Sequence, residues 1–118
     1  MKMLRLRGRK TNEFVQRRGR TWKGRTMIVR WLPGPPRSGD APGIYIGTYA
    51  STKLDKSAVK RNRMRRRCRE AFRLALKEMK EVPSGQLLLS PRSPSLTCDF
   101  SDIANDVAAV ISMLPWHK

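Results

Sequence analysis

The sequence predicts a single α+β domain, a two-layer sandwich in which helices cover a small mixed β-sheet. Apolar residues recur at helical spacing over 56–80 and 103–114, while short β-branched or leucine-rich runs at 26–32, 44–51 and 86–90 are typical of strands. Turn-forming Pro and Gly separate these segments. Helices and strands mixed in this order favour the α+β class.

The length of 118 residues allows one domain with one modest core, so residues 1–118 are predicted to form a single domain. The expected order of elements is α-β-β(-β)-α-β-α. Apolar residues make up 39% of the chain, which is enough for a folded protein rather than a disordered polyelectrolyte.

The N-terminal region is predicted to contain one short helix. Residues 1–10 alternate basic and apolar side chains and are expected to be a flexible basic arm. Thr11 or Asn12 can cap the helix that follows, and Gly19 ends it. A further short strand is expected at 20–23; it is the strand given in parentheses in the order above.

The middle of the chain is predicted to form two strands. Residues 26–32 and 44–51 are expected to run antiparallel, joined by a loop rich in Pro and Gly at 33–43. Alternation along the first strand predicts one face with Met27, Val29 and Trp31 and another with Ile28, Arg30 and Leu32.

The longest helix is predicted over 56–80, ended by Pro83, Ser84 and Gly85. On a helical wheel its apolar residues form one stripe, consisting of Met64, Cys68, Ala71, Phe72, Ala75 and Met79. A neighbouring sector carries Asn62, Arg65, Arg66, Arg69 and Arg73. The helix is therefore expected to bury one side and to display a row of guanidinium groups beside it.

The C-terminal third is predicted to support the core. Three consecutive leucines at 87–89 are consistent with a buried strand over 86–90. Asp99 or Ser101 can cap a last helix, which Pro115 ends.

The net charge of +17, from 26 basic and 9 acidic side chains, indicates a polyanionic partner. Self-repulsion of this size opposes compaction unless an anionic surface is bound. Residues 1–30 and 51–80 hold 23 of the 26 basic side chains, which favours a binding surface built from two basic segments. RNA, DNA and an anionic membrane surface are all compatible with charge alone.

Several classes of function are disfavoured. No run of 18 apolar residues is present, so no membrane span is expected. His117 is the only histidine, so no zinc site is expected, and Cys68 and Cys98 are expected to remain thiols. Asp102 and Asp106 share a helical face, but acidic residues near a helix start are better explained by the helix dipole than by a metal pair. The protein alone is not expected to catalyse a reaction.

The arginine-rich helix favours nucleic acid as the partner. Arg61/Arg65 and Arg65/Arg69 are like-charge pairs one turn apart, which destabilise an isolated helix by about 0.2–0.5 kcal/mol each. Guanidinium groups also suit bidentate phosphate contacts and stacking on bases. A nucleic-acid-binding face is therefore preferred over a merely solvated one.

One segment resembles a known family. Residues 56–73 read KSAVKRNRMRRRCREAFR, which is similar to the signature of the bacterial ribonuclease P protein component. The resemblance implies a fold like the second domain of ribosomal protein S5, with a left-handed crossover at the motif helix. It implies a cytoplasmic ribonucleoprotein with one protein per catalytic RNA, an endoribonuclease (EC 3.1.26.5) that removes 5′ leaders from precursor tRNA. The RNA would perform the chemistry and hold most of the Mg2+.

The resemblance also implies site residues. The expected RNA-binding residues are Lys53, Lys60, Arg61, Asn62, Arg63, Arg65, Arg66, Arg69 and Arg73. The cleft for the single-stranded leader is expected to contain Phe14, Ile28 and Arg30. The chain departs from the family pattern in a shorter first helix without a second Phe, in Arg30 where an aromatic residue is common, and in a longer turn at 53–57.

The alternative function is that of a structural RNA-binding protein of ribosomal type. Such a protein would have the same charge but no effect on precursor-tRNA cleavage. A DNA-binding regulator would need a helix-turn-helix or dimerising heptads, and a membrane-surface helix would need bulky apolar residues opposite the arginines. The sequence shows none of these.

Overall fold

A computed structural model describes residues 3–79 and 84–113 and contains one five-stranded sheet and three α-helices. The elements are β1 (Met3–Arg5), α1 (Arg9–Arg18), β2 (Arg20–Lys23), β3 (Met27–Pro33), β4 (Ile44–Thr48), α2 (Ala58–Lys77), β5 (Gly85–Pro91), a 3-10 turn (Ser93–Leu96) and α3 (Phe100–Met113). The predicted α+β class and the extra strand at 20–23 are confirmed.

The strand order is β1-β4-β5-β3-β2. β4 pairs in parallel with both β1 and β5, whereas β3 pairs antiparallel with both β5 and β2. β3 and β4 run in opposite directions as predicted, but β5 lies between them. The connection from β4 through α2 to β5 joins neighbouring parallel strands; its left-handed sense stays a prediction.

β5 is the central strand of the sheet because its leucines place apolar side chains on both faces. Leu87 and Leu89 belong to the main core, and Leu88 packs on the opposite side of the sheet. All three are almost fully buried. Burial on both faces is what a continuous apolar strand requires, and it confirms the predicted strand.

The main core lies between the sheet and the helices α2 and α3. Met27, Val29 and Trp31 face it, as the alternation along β3 predicts. The apolar stripe of α2 also faces it, with Phe72 fully buried, and the core includes Leu76, which the predicted stripe omitted. Because α2 is packed against the sheet, its row of charged residues has a fixed position relative to the sheet.

A smaller layer covers the opposite face of the sheet. Val15 of α1 packs there with Leu6 and Leu88, and Leu32 and Tyr45 border the cluster. This placement brings α1 over the centre of the sheet.

The predicted flexible arm at 1–10 is wrong for residues 3–10, which are ordered. Met3–Arg5 forms β1, and the Leu6 amide donates a hydrogen bond to the Ile46 carbonyl at 3.0 Å. Leu6 is 3% exposed, so burial of this leucine and pairing with β4 hold the segment. The alternation of Leu and Arg is therefore a strand pattern inside a basic segment.

The predicted cap of α1 is also wrong. The helix begins at Arg9, and Gly8 occupies the N-cap position with φ of 95°, which favours glycine. The side-chain amide of Asn12 instead donates hydrogen bonds to the backbone carbonyls of Leu6 and Gly8, at 3.2 and 2.7 Å. Gly19 follows the last residue of the helix as predicted.

The remaining bounds differ by a few residues. α2 begins at Ala58, after Ser57, whose hydroxyl accepts a hydrogen bond from the Lys60 amide at 3.3 Å. α3 begins at Phe100, directly after Asp99. The 3-10 turn was not predicted, and the expected stops at Pro83 and Pro115 lie outside the described residues.

Asp106 ties α3 to the turn between β2 and β3. One carboxylate oxygen accepts hydrogen bonds from the amide and the hydroxyl of Thr26, at 2.7 and 2.6 Å. Thr26 is fully buried, so these bonds satisfy polar groups that water cannot reach. Asp106 therefore has a structural role.

Cys68 and Cys98 are free thiols, as predicted. Burial in the core raises the pKa of the Cys68 thiol to about 12, so the group stays protonated at neutral pH. Across the described ranges, no helix is both long enough and apolar enough to cross a bilayer.

Candidate nucleic-acid interface

Three arginines of α2, Arg65, Arg66 and Arg69, lie beside the sheet. Met64 and Cys68 are buried, which orients this part of the helix. Arg65 and Arg66 follow Met64 in the chain, and Arg69 follows Cys68. These three arginines therefore lie on the helix between the side that faces the core and the side that faces solvent. The predicted row is thus held close to the ends of β1 and β4.

A groove of about 860 Å³ separates this row from α1 and β1. We refer to it as the arginine groove, because five arginines line it. Its lining residues are Arg5, Leu6, Arg9, Asn12, Glu13, Gln16, Gly47, Thr48, Tyr49, Asn62, Arg65, Arg66, Arg69 and Leu88. Its volume lies in the range of about 300–1,000 Å³ that is typical of ligand sites.

Hydrogen bonds fix the side chains of the α2 wall. Arg65 donates to the Asn62 side-chain oxygen at 2.7 Å and to the Ala50 carbonyl at 3.1 Å. Because Arg65 occupies the oxygen of Asn62, the amide hydrogens of Asn62 are the groups left to face a ligand. Arg65 thus braces the wall, and Asn62 presents donors suited to phosphate or carbonyl oxygens.

The groove concentrates positive charge. Burial lowers the pKa of Arg69, and the neighbouring charges of Arg5 and Arg65 lower it further. Among the described residues, Glu13 is the one acidic side chain in the lining, and it accepts a 3.0 Å hydrogen bond from Arg9. An anion in the groove would relieve this repulsion, so the geometry favours a phosphate-rich ligand.

Arg67 belongs to the basic motif but has a structural role. It donates to the carbonyls of Ser95 and Cys98, at 2.6 Å each, and so fastens the 3-10 turn to α2. Arg67 was not among the predicted RNA-binding residues.

The structure gathers four of the nine predicted RNA-binding residues in the arginine groove, namely Asn62, Arg65, Arg66 and Arg69. The other five lie outside its lining: Lys53, Lys60, Arg61, Arg63 and Arg73. Arg73 forms an ion pair with Glu70 at 2.6 Å on the exposed side of α2. This bond raises the pKa of Arg73 and lowers that of Glu70.

The three residues predicted for the leader cleft lie on two elements, Phe14 on α1 and both Ile28 and Arg30 on β3. Phe14 is 47% exposed on α1 and borders a separate shallow depression with Lys10, Glu13, Gln16 and Arg17. Ile28 and Arg30 lie on β3, on the sheet face that carries α1, and both are half-buried.

Sequence reasoning missed one wall of the groove. Arg5 and Arg9 were assigned to a flexible arm, and Asn12 to a helix cap. Their position depends on the pairing of β1 with β4, which joins residues about forty positions apart in the chain. The alternation at the N-terminus was the one local signal for this strand. Tyr49 was likewise missed: it was placed in the predicted strand at 44–51 and was given no part in binding.

The fold and the groove define a class: a small basic α+β protein whose central helix carries an arginine row into a cleft against the sheet. A family model described as Ribonuclease P matches residues 1–114. The chain therefore belongs to the Ribonuclease P protein family, and the resemblance seen in the motif helix is confirmed.

Curated relatives agree with this assignment. The ribonuclease P protein component of Thermus oshimai is 34% identical over 80% of this chain and 54% of the relative. That of Thermus thermophilus is 31% identical over 93% of this chain and 59% of the relative. That of Chloroflexus aggregans is 36% identical over 75% of this chain and 64% of the relative. The chain thus spans somewhat more than half the length of these relatives.

Solved structures share the fold. The RNase P protein of Staphylococcus aureus superimposes with a TM-score of 0.74 at 19% identity, over 99% of this chain and all of that one. The RNase P protein of Thermotoga maritima gives a TM-score of 0.74 at 19% identity, over 93% of this chain and 96% of that one. At these identities the likeness concerns the fold alone.

Proposed function

We propose that this chain is the RNA-binding protein subunit of a ribonuclease P, which assists a catalytic RNA in removing 5′ leaders from precursor tRNA. The observation that carries the proposal is the arginine groove, built on the motif helix of the family and lined by five arginines. One protein would bind one catalytic RNA in the cytoplasm. The hydrolysis is assigned to the RNA.

The mechanism is electrostatic assembly of two polyanions. Each arginine that neutralises a phosphate releases condensed counterions, and the forked guanidinium fixes the geometry of the contact. Arg66 and Arg69 would bind phosphates of the catalytic RNA directly, while Arg65 holds Asn62 in position. The protein would in this way lower the repulsion between the catalytic RNA and its substrate.

Mg2+ is assigned to the RNA partner. Within residues 3–79 and 84–113, no three His, Cys, Asp or Glu side chains are grouped so that they could hold a metal ion. Asp106 is engaged by Thr26 and Glu13 by Arg9. These residues do not fit a protein-held Mg2+.

The leader is assigned to the sheet face that carries α1. Phe14 is exposed and offers a stacking surface, and Arg30 lies on the same side of the sheet with Ile28. Stacking and backbone electrostatics tolerate any leader sequence. The remaining cations of the motif, Lys53, Lys60, Arg61, Arg63 and Arg73, would extend the contact with RNA beyond the groove.

Reconstitution tests the proposal. The purified chain is added to a bacterial ribonuclease P RNA and a precursor tRNA at limiting Mg2+, and release of the 5′ leader is measured. We expect the chain to increase leader release above that of the RNA alone, because charge neutralisation reduces the Mg2+ needed for assembly. RNA binding without any increase would instead favour a structural protein of ribosomal type.

A further inference from the structure

Tyr49 is an exposed aromatic residue within the arginine groove. It follows the last residue of β4, lines the groove beside Asn62 and Arg65, and is 49% exposed. An isolated exposed aromatic residue on a protein surface is ordinary. A tyrosine that faces a cleft lined by guanidinium groups has a different chemical setting, because the cleft combines charge with a π surface.

Hydrogen bonds hold both neighbours of Tyr49 and its own backbone amide. The Thr48 hydroxyl accepts a hydrogen bond from Arg69 at 3.4 Å, and the Ala50 carbonyl accepts one from Arg65 at 3.1 Å. The Tyr49 amide donates to the Leu89 carbonyl of the central strand at 2.8 Å. The residue is therefore held between the two arginines that contact its neighbours.

We infer that Tyr49 is a stacking platform for one unpaired nucleobase, whose phosphates lie along the arginines of the groove. This inference rests on the proposed function and specifies what the groove binds. A basic channel with an aromatic platform is the arrangement that binds single-stranded nucleic acid without sequence preference. The bases of a duplex are stacked on one another and present no free face, so the occupant is an unpaired nucleotide.

Asn62 completes the site. Its oxygen is held by Arg65, so its amide hydrogens point to acceptors of the bound nucleotide. The opposite wall carries Arg5 and Arg9, which can contact the phosphates on either side of the stacked base. The groove therefore has a donor, a platform and cations on two walls.

Binding of short oligonucleotides tests the inference. Affinities of the full chain are measured for a short oligoadenylate and for the same backbone with abasic positions. Removing a stacking aromatic weakens binding about 5- to 150-fold per base. We expect Tyr49→Leu to show this loss with oligoadenylate and to match the wild type with the abasic strand. Tyr49→Phe keeps the ring and should bind like the wild type, as should Met113→Ala, which removes an exposed apolar side chain on α3.

A second readout follows the base itself. 2-Aminopurine placed in the oligonucleotide should lose emission when it stacks in the wild-type groove and in Tyr49→Phe, but not in Tyr49→Leu. The inference would be overturned if Tyr49→Leu and the wild type preferred oligoadenylate over the abasic strand by the same factor. It would also be overturned if 2-aminopurine emission did not change when the oligonucleotide bound the wild type. If the wild type also failed to bind the catalytic RNA, the proposed function would fall with it. Binding of that RNA with no role for Tyr49 would remove this inference alone.

Discussion

Arg66→Ala is expected to weaken binding of the catalytic RNA by about 10- to 150-fold, because a hydrogen bond to a charged group contributes about 1.5–3 kcal/mol. Arg66 is exposed and lines the arginine groove, so its loss removes a phosphate contact without opening the core. Asn62→Ala is expected to act in the same direction, because it removes the amide donors and the oxygen that holds Arg65. Affinity is measured by filter binding or fluorescence anisotropy at fixed salt.

The control for lost charge is Lys77→Ala, at the end of the same helix and exposed. It lowers the net charge by the same amount but lies outside the groove lining, so its effect should be much smaller. Arg66→Ala should also lower the slope of log affinity against log salt by about 0.7–0.9, the contribution of one phosphate contact. Equal losses in Arg66→Ala and Lys77→Ala would show that net charge, and not the groove, determines binding.

Arg67→Ala is expected to destabilise the fold by about 2–4 kcal/mol, since it removes two charge-assisted hydrogen bonds and leaves two carbonyl oxygens unpaired. The bonds to Ser95 and Cys98 are short and partly buried, and they join α2 to the turn that precedes α3. Unfolding in urea, followed by circular dichroism, measures the change in free energy.

The matched control for Arg67 is Arg63→Ala, one helical turn earlier and exposed. Substitutions of exposed residues usually change stability by no more than about 0.5 kcal/mol. Arg67→Lys can keep one of the two bonds and should fall between the two alanine variants. Equal stability of Arg67→Ala and Arg63→Ala would contradict the structural role of Arg67.

The sequence predicted elements whose signal is local. The apolar stripe of α2, the alternation of β3 and the buried leucines of β5 are all patterns within one segment, and the structure confirms them. The basic row on α2 was also predicted, because helical spacing alone places Asn62, Arg65, Arg66 and Arg69 on one side.

The parts that sequence reasoning missed depend on contacts between distant segments. β1 is held by pairing with β4 and by burial of Leu6, and basic residues on both sides of this leucine resembled a flexible arm. The wall of the groove formed by Arg5 and Arg9 was not predicted for the same reason. The position of β5 between β3 and β4 likewise follows from the packing of α2 over the sheet.

The roles of individual arginines could not be read from the motif. Arg65, Arg66 and Arg67 are consecutive, yet one braces the groove, one faces it and one holds the 3-10 turn. Successive residues point about 100° apart around a helix, and only the neighbouring elements determine what each direction meets.

The central claim is that the arginine groove binds the phosphates of a folded catalytic RNA. Its most direct test is the affinity of the wild-type chain for ribonuclease P RNA across a series of salt concentrations. We expect firm binding in near-physiological salt, with a slope that corresponds to several phosphate contacts and decreases in Arg66→Ala. Absence of binding at that salt, or a slope unchanged by removal of Arg66, would contradict it.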